Sequence, residues 1–147
     1  MIIFPNPILN QPSEKIFIID DSILKLIDDM IEVMYNSSIV SISAPEIGTL
    51  KRIIIVELPD QKTKPSIIIN PELIYRSSKN REVKECCICI PGQIFKVERP
   101  EFIKIKALND KGEEIFITAE DLYCQTIMHG LDHLEGKLLG ENLNGNI

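Results

Sequence analysis

The feature that most constrains this chain is the spacing of its two histidines, His129 and His133. Residues four apart on an α-helix lie on the same face, about one turn from each other, so a helix here places both imidazole rings within reach of a single metal ion. The simpler alternative is a pair of surface histidines whose spacing is accidental. We interpret the spacing as a helix that carries part of a metal site.

The segment around these histidines is similar to the HExxH metal-binding motif, with one exception. Gly130 stands where that motif has the glutamate that acts as general base. Glycine inside a helix costs about 1 kcal/mol relative to alanine. Its presence therefore indicates either a backbone reason or release from a catalytic constraint. The pattern predicts a metallohydrolase that keeps its metal and lacks its usual base.

Three of the four cysteines, Cys86, Cys87 and Cys89, fall within four consecutive positions. Adjacent and alternate cysteines are poor disulfide partners for one another, and a cytoplasmic protein keeps its thiols reduced. We therefore expect at least one of them to be a thiolate ligand of a metal. Cys89 is interpreted as a rival ligand, a site of redox inactivation or a small packed side chain. Cys124 is expected in the core.

Length and charge limit the class of protein. The 147 residues suffice for a single domain with its own core, which we predict to span 1–147. The net charge of −6 argues against nucleic-acid binding. The apolar segment 1–4 is too short for a signal peptide, and no apolar run reaches the length of a membrane span. These observations predict a cytoplasmic protein with neither a nucleic-acid nor a membrane partner.

Hydrophobic periodicity predicts two helices and several strands. An amphipathic helix is expected from a cap near Asp20 to about Asn36. Strands are expected in the Ile-rich or alternating segments 51–58, 66–70, 86–90, 102–108 and 114–118. Thr118 and Asp121 resemble a capping box that opens the histidine helix, which then runs toward Gly136. This order predicts an α+β fold, with mostly antiparallel sheets wrapped around a central metal-binding helix and an amphipathic helix near the N-terminus.

Three segments resemble, in order, the motifs of peptide deformylases. Residues 39–48 read IVSISAPEIG, residues 85–92 read ECCICIPG and residues 129–133 read HGLDH, against the family patterns GxGLAAPQxG, EGCLS and HExDH. Three motifs in the same order and spacing identify the chain as a divergent member of this family. The resemblance implies a metallohydrolase that removes the formyl group from nascent or short N-formyl-methionyl peptides.

The resemblance also implies a ligand set. It assigns Cys87, His129 and His133 to one divalent metal ion, with water completing a tetrahedron. A thiolate and two neutral imidazoles suit Fe(II) or Zn(II). Glu85 and Arg99 match a pair that the family uses to brace the cysteine loop. Their alternative reading is an ordinary surface ion pair, which contributes little stability.

At two positions, 46 and 130, this chain differs from the family pattern in residues that take part in catalysis. By resemblance, the backbone amide of Ile88 and the glutamine of the first motif stabilise the oxyanion, but this chain has Glu46 at the glutamine position. An ionised carboxylate donates no hydrogen bond and repels an oxyanion. Glu46 is therefore a sign of decay, a base relocated to the opposite side of the metal, or a ligand that closes the metal site. Gly130 marks the position of the missing base.

The substrate pocket is expected to depart from the family as well. By resemblance, the helical face that carries His129 helps to wall an apolar pocket for the methionine side chain. Gln125 and Thr126 make this face more polar. The residues expected to contact the substrate are Val40, Ile42, Leu122, Gln125 and Thr126.

The sequence thus favours a deformylase-like scaffold whose activity is weak or absent, because Gly130 replaces the general base. Three alternatives stay open. The first is a fully active deformylase that uses Glu46 as a relocated base. The second is a non-catalytic homologue that binds a metal and a peptide. The third is a structural metal domain whose site is closed by the cysteine cluster.

Overall fold

The structure, a computed structural model, describes residues 1–59 and 64–139. The predicted domain 1–147 extends beyond these ranges at 60–63 and 140–147, and its extent stays a prediction. The helices are α1 (Asp21–Asn36) and α2 (Asp121–Leu134). The strands are β1 (Ser41–Ser43), β2 (Ile53–Val56), β3 (Ser66–Arg76), β4 (Asn80–Cys87), β5 (Ile90–Pro100), β6 (Phe102–Leu108) and β7 (Glu114–Glu120). Short 3-10 helices lie at Pro7–Asn10 and Ala44–Ile47.

Two antiparallel sheets surround α2. The larger sheet has five strands in the order β1-β2-β3-β6-β7, and β4 and β5 form a separate hairpin. Helix α2 packs against β1, β2 and β7 of the larger sheet and against β5 of the hairpin. The predicted α+β class, with antiparallel sheets around a central helix, is confirmed.

Strand β2 is buried on both faces and connects two cores. Because side chains alternate along a strand, Ile54 and Val56 pack with α2, whereas Ile53 and Ile55 pack with α1. All four side chains are fully buried. This arrangement places β2 directly beneath the middle of α2, where Gly130 lies.

Helix α1 follows the sequence prediction closely. The side chain of Asp20 accepts a hydrogen bond from the backbone N–H of Ile23 at 3.1 Å and caps the helix. The buried side chains of α1 recur every three or four residues, as the amphipathic pattern predicts; they are Ile23, Ile27, Met30 and Met34.

The predicted strand 86–90 is wrong. Strand β4 ends at Cys87, positions 88–89 form a turn, and β5 begins at Ile90, so the segment is the tip of a hairpin. Sequence reasoning missed most of β4 and β5. One face of β4 is exposed and carries charged residues, and β5 contains a proline and a glycine near its start, so neither strand has a continuous apolar signal.

The predicted capping box of α2 is also wrong. Thr118 pairs with Lys104 inside β7, and Glu120 precedes the helix without a side-chain cap. The helix ends as predicted near Gly136, which has φ +76°. A Cβ atom at Gly136 would lie 2.7 Å from the carbonyl oxygen of Asn10, so this turn requires glycine.

Within the described ranges, no helix is both long and apolar enough to cross a membrane.

Candidate metal centre

Three side chains from two elements converge beside α2. Cys87 Sγ, at the end of β4, lies 3.2 Å from His133 Nε2. His133 Nε2 lies 3.2 Å from His129 Nε2, one turn earlier on α2. Cys87 and His133 are buried, with 6% and 2% of their surface exposed. The structure therefore brings together the three residues that the sequence assigned as ligands.

These separations fit a tetrahedral metal site. Bonds of about 2.3 Å to sulfur and about 2.0 Å to nitrogen place the ligand atoms of such a site roughly 3.3–3.6 Å apart for these pairs. The observed distances of 3.2 Å need only small adjustments. The site thus has the donor set and the spacing for a divalent metal ion held by cysteine and histidine.

Burial and close contacts shift the pKa values of the candidate ligands. The hydrogen bond between the Cys87 thiol and Cys89, together with burial, raises the pKa of Cys87 to about 12, although the contacts of Cys87 with the two histidines oppose this shift. Burial lowers the pKa of His129, but hydrogen bonds to Cys87 and Glu85 outweigh it and raise the pKa to about 9. Because a metal needs deprotonated ligands, binding releases protons and weakens as the pH falls.

A second thiol lies beside the first. Cys89 is fully buried, and its Sγ is 2.9 Å from that of Cys87. The ligand atoms of Cys87, Cys89 and His133 all lie within 4.8 Å of one another. The turn at 88–89 produces this contact because it folds the chain back between the two cysteines. The neighbouring Cys86 is exposed instead.

A buried ion-pair network holds the histidine face of α2. Arg99 on β5 donates two hydrogen bonds to Glu85 on β4, at 2.7 and 2.8 Å, and a third to Asp132 at 2.7 Å. Glu85 Oε1 is also 3.1 Å from His129 Nδ1. Glu85 and Arg99 are only 6% and 5% exposed, so the alternative of a surface pair is wrong.

This network orients the His129 ring. With its Nδ1 at hydrogen-bond distance from Glu85, the ring presents Nε2 to the ligand cluster. Burial raises the pKa of Glu85, but the hydrogen bonds from Arg99 and His129 outweigh it and lower the pKa below its usual range. Sequence reasoning did not identify Asp132 as part of this network. The available signal was its position, three residues after His129 and next to His133.

Glu46 faces the same cluster from the other side. It lies in the 3-10 helix Ala44–Ile47 and is 4% exposed. Its Oε1 accepts hydrogen bonds from the backbone N–H of Ser43 at 3.0 Å and from the Ser43 hydroxyl at 2.8 Å. Oε2 lies 3.9 Å from Cys87 Sγ, and Oε1 lies 4.0 Å from His133 Nε2. The carboxylate is therefore fixed near the metal centre.

Gly130 faces the sheet beneath α2. A Cβ atom at this position would lie 2.9–3.1 Å from the Cδ1, Cγ2 and Cγ1 atoms of Ile54 on β2. Such approaches are closer than packed carbon atoms tolerate without movement. Packing against Ile54 thus gives a structural reason for glycine, separate from any loss of catalytic constraint.

A cavity of about 350 Å³ opens in front of the ligands. Of the residues expected to contact substrate, Val40, Leu122, Gln125 and Thr126 line it, together with Ile88 and Glu46. Ile42 does not: its side chain is 1% exposed and packs in the α1 core. It was misplaced because side chains alternate along β1, so that Ile42 points away from the face on which Ser41 lines the cavity, whereas Val40 precedes the strand. Sequence reasoning missed these lining residues: Ser38, Ile39, Lys84 and Cys86.

Two polar groups of the cavity wall already have partners. Thr126 Oγ1 donates to the carbonyl oxygen of Leu122 at 2.7 Å. Gln125 Nε2 donates to the carbonyl oxygen of Lys84 at 3.2 Å. The threonine hydroxyl proton is therefore satisfied inside the helix, so this position is less polar toward a ligand than the sequence indicates.

Comparison with known proteins now identifies this arrangement. The family model described as polypeptide deformylase matches residues 1–146. The chain belongs to the peptide deformylase family. Members of this family are metalloenzymes that act on formylated peptides, and a cysteine and histidine centre in a deformylase fold agrees with both properties.

Similar deformylases are found among both sequences and solved structures. Peptide deformylase 1 of Clostridium acetobutylicum is 44% identical over 140 residues, which cover 95% of this chain and 91% of that protein. The structure of a peptide deformylase from Legionella pneumophila has a TM-score of 0.90 at 31% identity, and covers 94% of this chain and 81% of that one. The deformylase of Ehrlichia chaffeensis in complex with actinonin has a TM-score of 0.90 at 30% identity, with 94% and 84% covered.

Proposed function

We propose that this protein is a metal-dependent amidase that removes the formyl group from N-formyl-methionyl peptides slowly, because Gly130 supplies no general base. The proposal rests on one observation above all. Cys87, His129 and His133 converge, and the first two line an open cavity, in a chain of the peptide deformylase family. The family relation supports the substrate class, and the cavity gives a formyl group access to the ligand cluster.

Each residue has a defined task in this proposal. Cys87, His129 and His133 hold Fe(II) or Zn(II), which when bound supplies a Lewis acid that activates water. Glu85 and Arg99 keep His129 oriented. Ile88, whose backbone amide follows the cysteine ligand, lines the cavity where an oxyanion would form. Val40, Leu122, Gln125 and Thr126 contact the peptide.

The test is an amidase assay with metal-loaded protein, prepared without oxygen, on a short formyl-methionyl peptide. General acid–base catalysis contributes roughly 10²–10⁴ in rate, so we expect formate release slower by about that factor than in a relative with the motif glutamate. A matched His133→Ala variant should release none above buffer. Turnover within about tenfold of an ordinary relative would contradict the missing-base explanation.

A Glu46→Gln variant separates two functions for the buried carboxylate. If Glu46 only repels the oxyanion, the amide restores a hydrogen-bond donor and the rate rises by roughly 10²-fold, the effect of one such donor. If Glu46 is a relocated base, the rate falls instead. The fixed position of its Oε1, 4.0 Å from His133 Nε2, supports this alternative. We expect a rise, because both hydrogen bonds from Ser43 engage Oε1; the glutamine oxygen can accept the same bonds, and its Nε2 then takes the place of Oε2, which faces Cys87. The readout is kcat at saturating peptide, and a fall in kcat would assign the base to Glu46.

A non-catalytic homologue that binds a metal and a peptide is the second candidate. Cys89 supports metal binding without catalysis, because its sulfur lies close to the ligand atoms of Cys87 and His133, where a further thiolate ligand would close the site to water. In this case the His133→Ala variant and the wild type would be equally inactive, whereas only the wild type would retain metal. A cytoplasmic location without nucleic-acid or membrane partners stays a prediction from composition.

A further inference from the structure

Two buried thiols, Cys87 and Cys89, lie at the tip of the β4–β5 hairpin, and the proposed amidase reaction gives no role to the second of them. Cys87 and Cys89 are separated by one residue in the sequence and by 2.9 Å between their Sγ atoms. On a straight strand, residues two apart have parallel side chains about 6.5 Å from each other. A disulfide needs Cβ atoms roughly 3.5–4.5 Å apart, which a straight strand does not provide.

The turn at 88–89 removes that obstacle. It ends β4 at Cys87 and brings the Cys89 side chain back against it, inside a cluster that also contains Leu9, Ile90 and Leu138. The sequence-based objection to alternate cysteines therefore does not apply to this pair. Access to the two sulfurs differs, because Cys87 lines the open cavity, whereas Cys89 is fully buried.

We propose that Cys87 and Cys89 form a reversible redox pair, in which hydrogen peroxide joins them in a disulfide and the metal is released. The Cys87 sulfur attacks the peroxide; an S–O bond forms, the O–O bond breaks and water leaves, which gives a sulfenic acid. The Cys89 sulfur then attacks that sulfur, an S–S bond forms, and a second water leaves. The two sulfurs are together oxidised by two electrons, and the peroxide is reduced to two waters.

The structure supports both steps. The cavity opens onto Cys87 and admits a small oxidant, while the resolving thiol is already in contact. The disulfide consumes the only thiolate among the three proposed ligands, so that two histidines are left to hold the ion. A buried partner at this distance also captures the sulfenic acid before further, irreversible oxidation. This inference rests on the ligand set of the proposed function, but not on amidase activity.

The experiment treats zinc-loaded protein with hydrogen peroxide and follows zinc release with a chromogenic chelator. Intact mass and the tryptic fragment 85–96, which contains Cys86, Cys87 and Cys89, are measured in parallel. We expect zinc release with loss of two hydrogen atoms from the fragment, and recovery of both thiols and zinc binding after dithiothreitol. In Cys89→Ser, the fragment should instead gain two or three oxygen atoms, as a sulfinic or sulfonic acid, and dithiothreitol should no longer restore zinc binding.

Cys86→Ser is the matched control, because it removes the exposed neighbouring thiol and leaves the pair intact. It should form the disulfide as the wild type does. A disulfide that persists in Cys89→Ser, or oxygen gain without disulfide in the wild type, overturns the proposal. If the protein binds no zinc, the proposed ligand set fails, and the loss of two hydrogen atoms in metal-free protein still decides whether the thiols pair.

Discussion

A Gly130→Glu, Ile54→Val double variant is expected to hydrolyse a formyl-methionyl peptide roughly 10²–10⁴ times faster than the wild type, the usual contribution of a general base. The glutamate restores a carboxylate next to the ligand His129 on α2. Valine at position 54 removes the closest atom, Cδ1, which would lie 2.9 Å from the new Cβ; the two Cγ atoms at 3.0 and 3.1 Å stay, so the valine side chain still has to shift by a few tenths of an ångström. The measurement is formate release by metal-loaded protein under reducing conditions.

The controls separate chemistry from packing. A Gly130→Gln, Ile54→Val variant has nearly the same shape without the basic oxygen, and should stay at the wild-type rate. The single Gly130→Glu variant keeps the contact with Ile54, and overpacking of this kind costs about 1–3 kcal/mol. It should therefore unfold at lower urea and gain less activity. If the double variant folds, binds metal and gains nothing, the missing base is not what limits the rate.

Replacement of Arg99 by methionine is expected to destabilise the metal-free protein by about 3–5 kcal/mol, because it leaves a buried carboxylate without its partner. Glu85 loses two hydrogen bonds in a site where it is 6% exposed, and Asp132 loses a third. Urea unfolding at neutral pH measures the effect. In the metal-loaded protein, zinc affinity should also fall, because Glu85 no longer holds His129 in one orientation.

A double variant and a pH series test the cause. Arg99→Met with Glu85→Gln removes both charges, and should be less destabilised than Arg99→Met alone. The pKa of Glu85 is lowered in the folded protein, so its ion pair stabilises above its unfolded pKa and is lost as the pH falls through the folded value. The difference between the wild type and Arg99→Met should therefore shrink in acid. A pH-independent difference would point to lost packing instead.

Some parts of the site were readable from the sequence because they depend on local spacing. The four-residue spacing of His129 and His133 set their common helix face, and the periodicity of 21–36 set the buried face of α1. The cysteine motif suggested Cys87 through its resemblance to a family pattern. The strands β4 and β5 escaped detection, because a half-exposed hairpin that contains charged residues, proline and glycine has little apolar periodicity.

The sequence by itself determined the family, the α+β class and the identity of the three convergent side chains. These follow from the order and spacing of three motifs, from the order of the elements, and from residue spacing on α2. Tertiary structure decided what those residues touch. The contact of Ile54 with Gly130 joins a strand to a helix 76 positions later, and a turn brings Cys89 against Cys87. Such contacts depend on how the elements pack against each other and on where the chain turns. Hydrophobic periodicity contains no information about either.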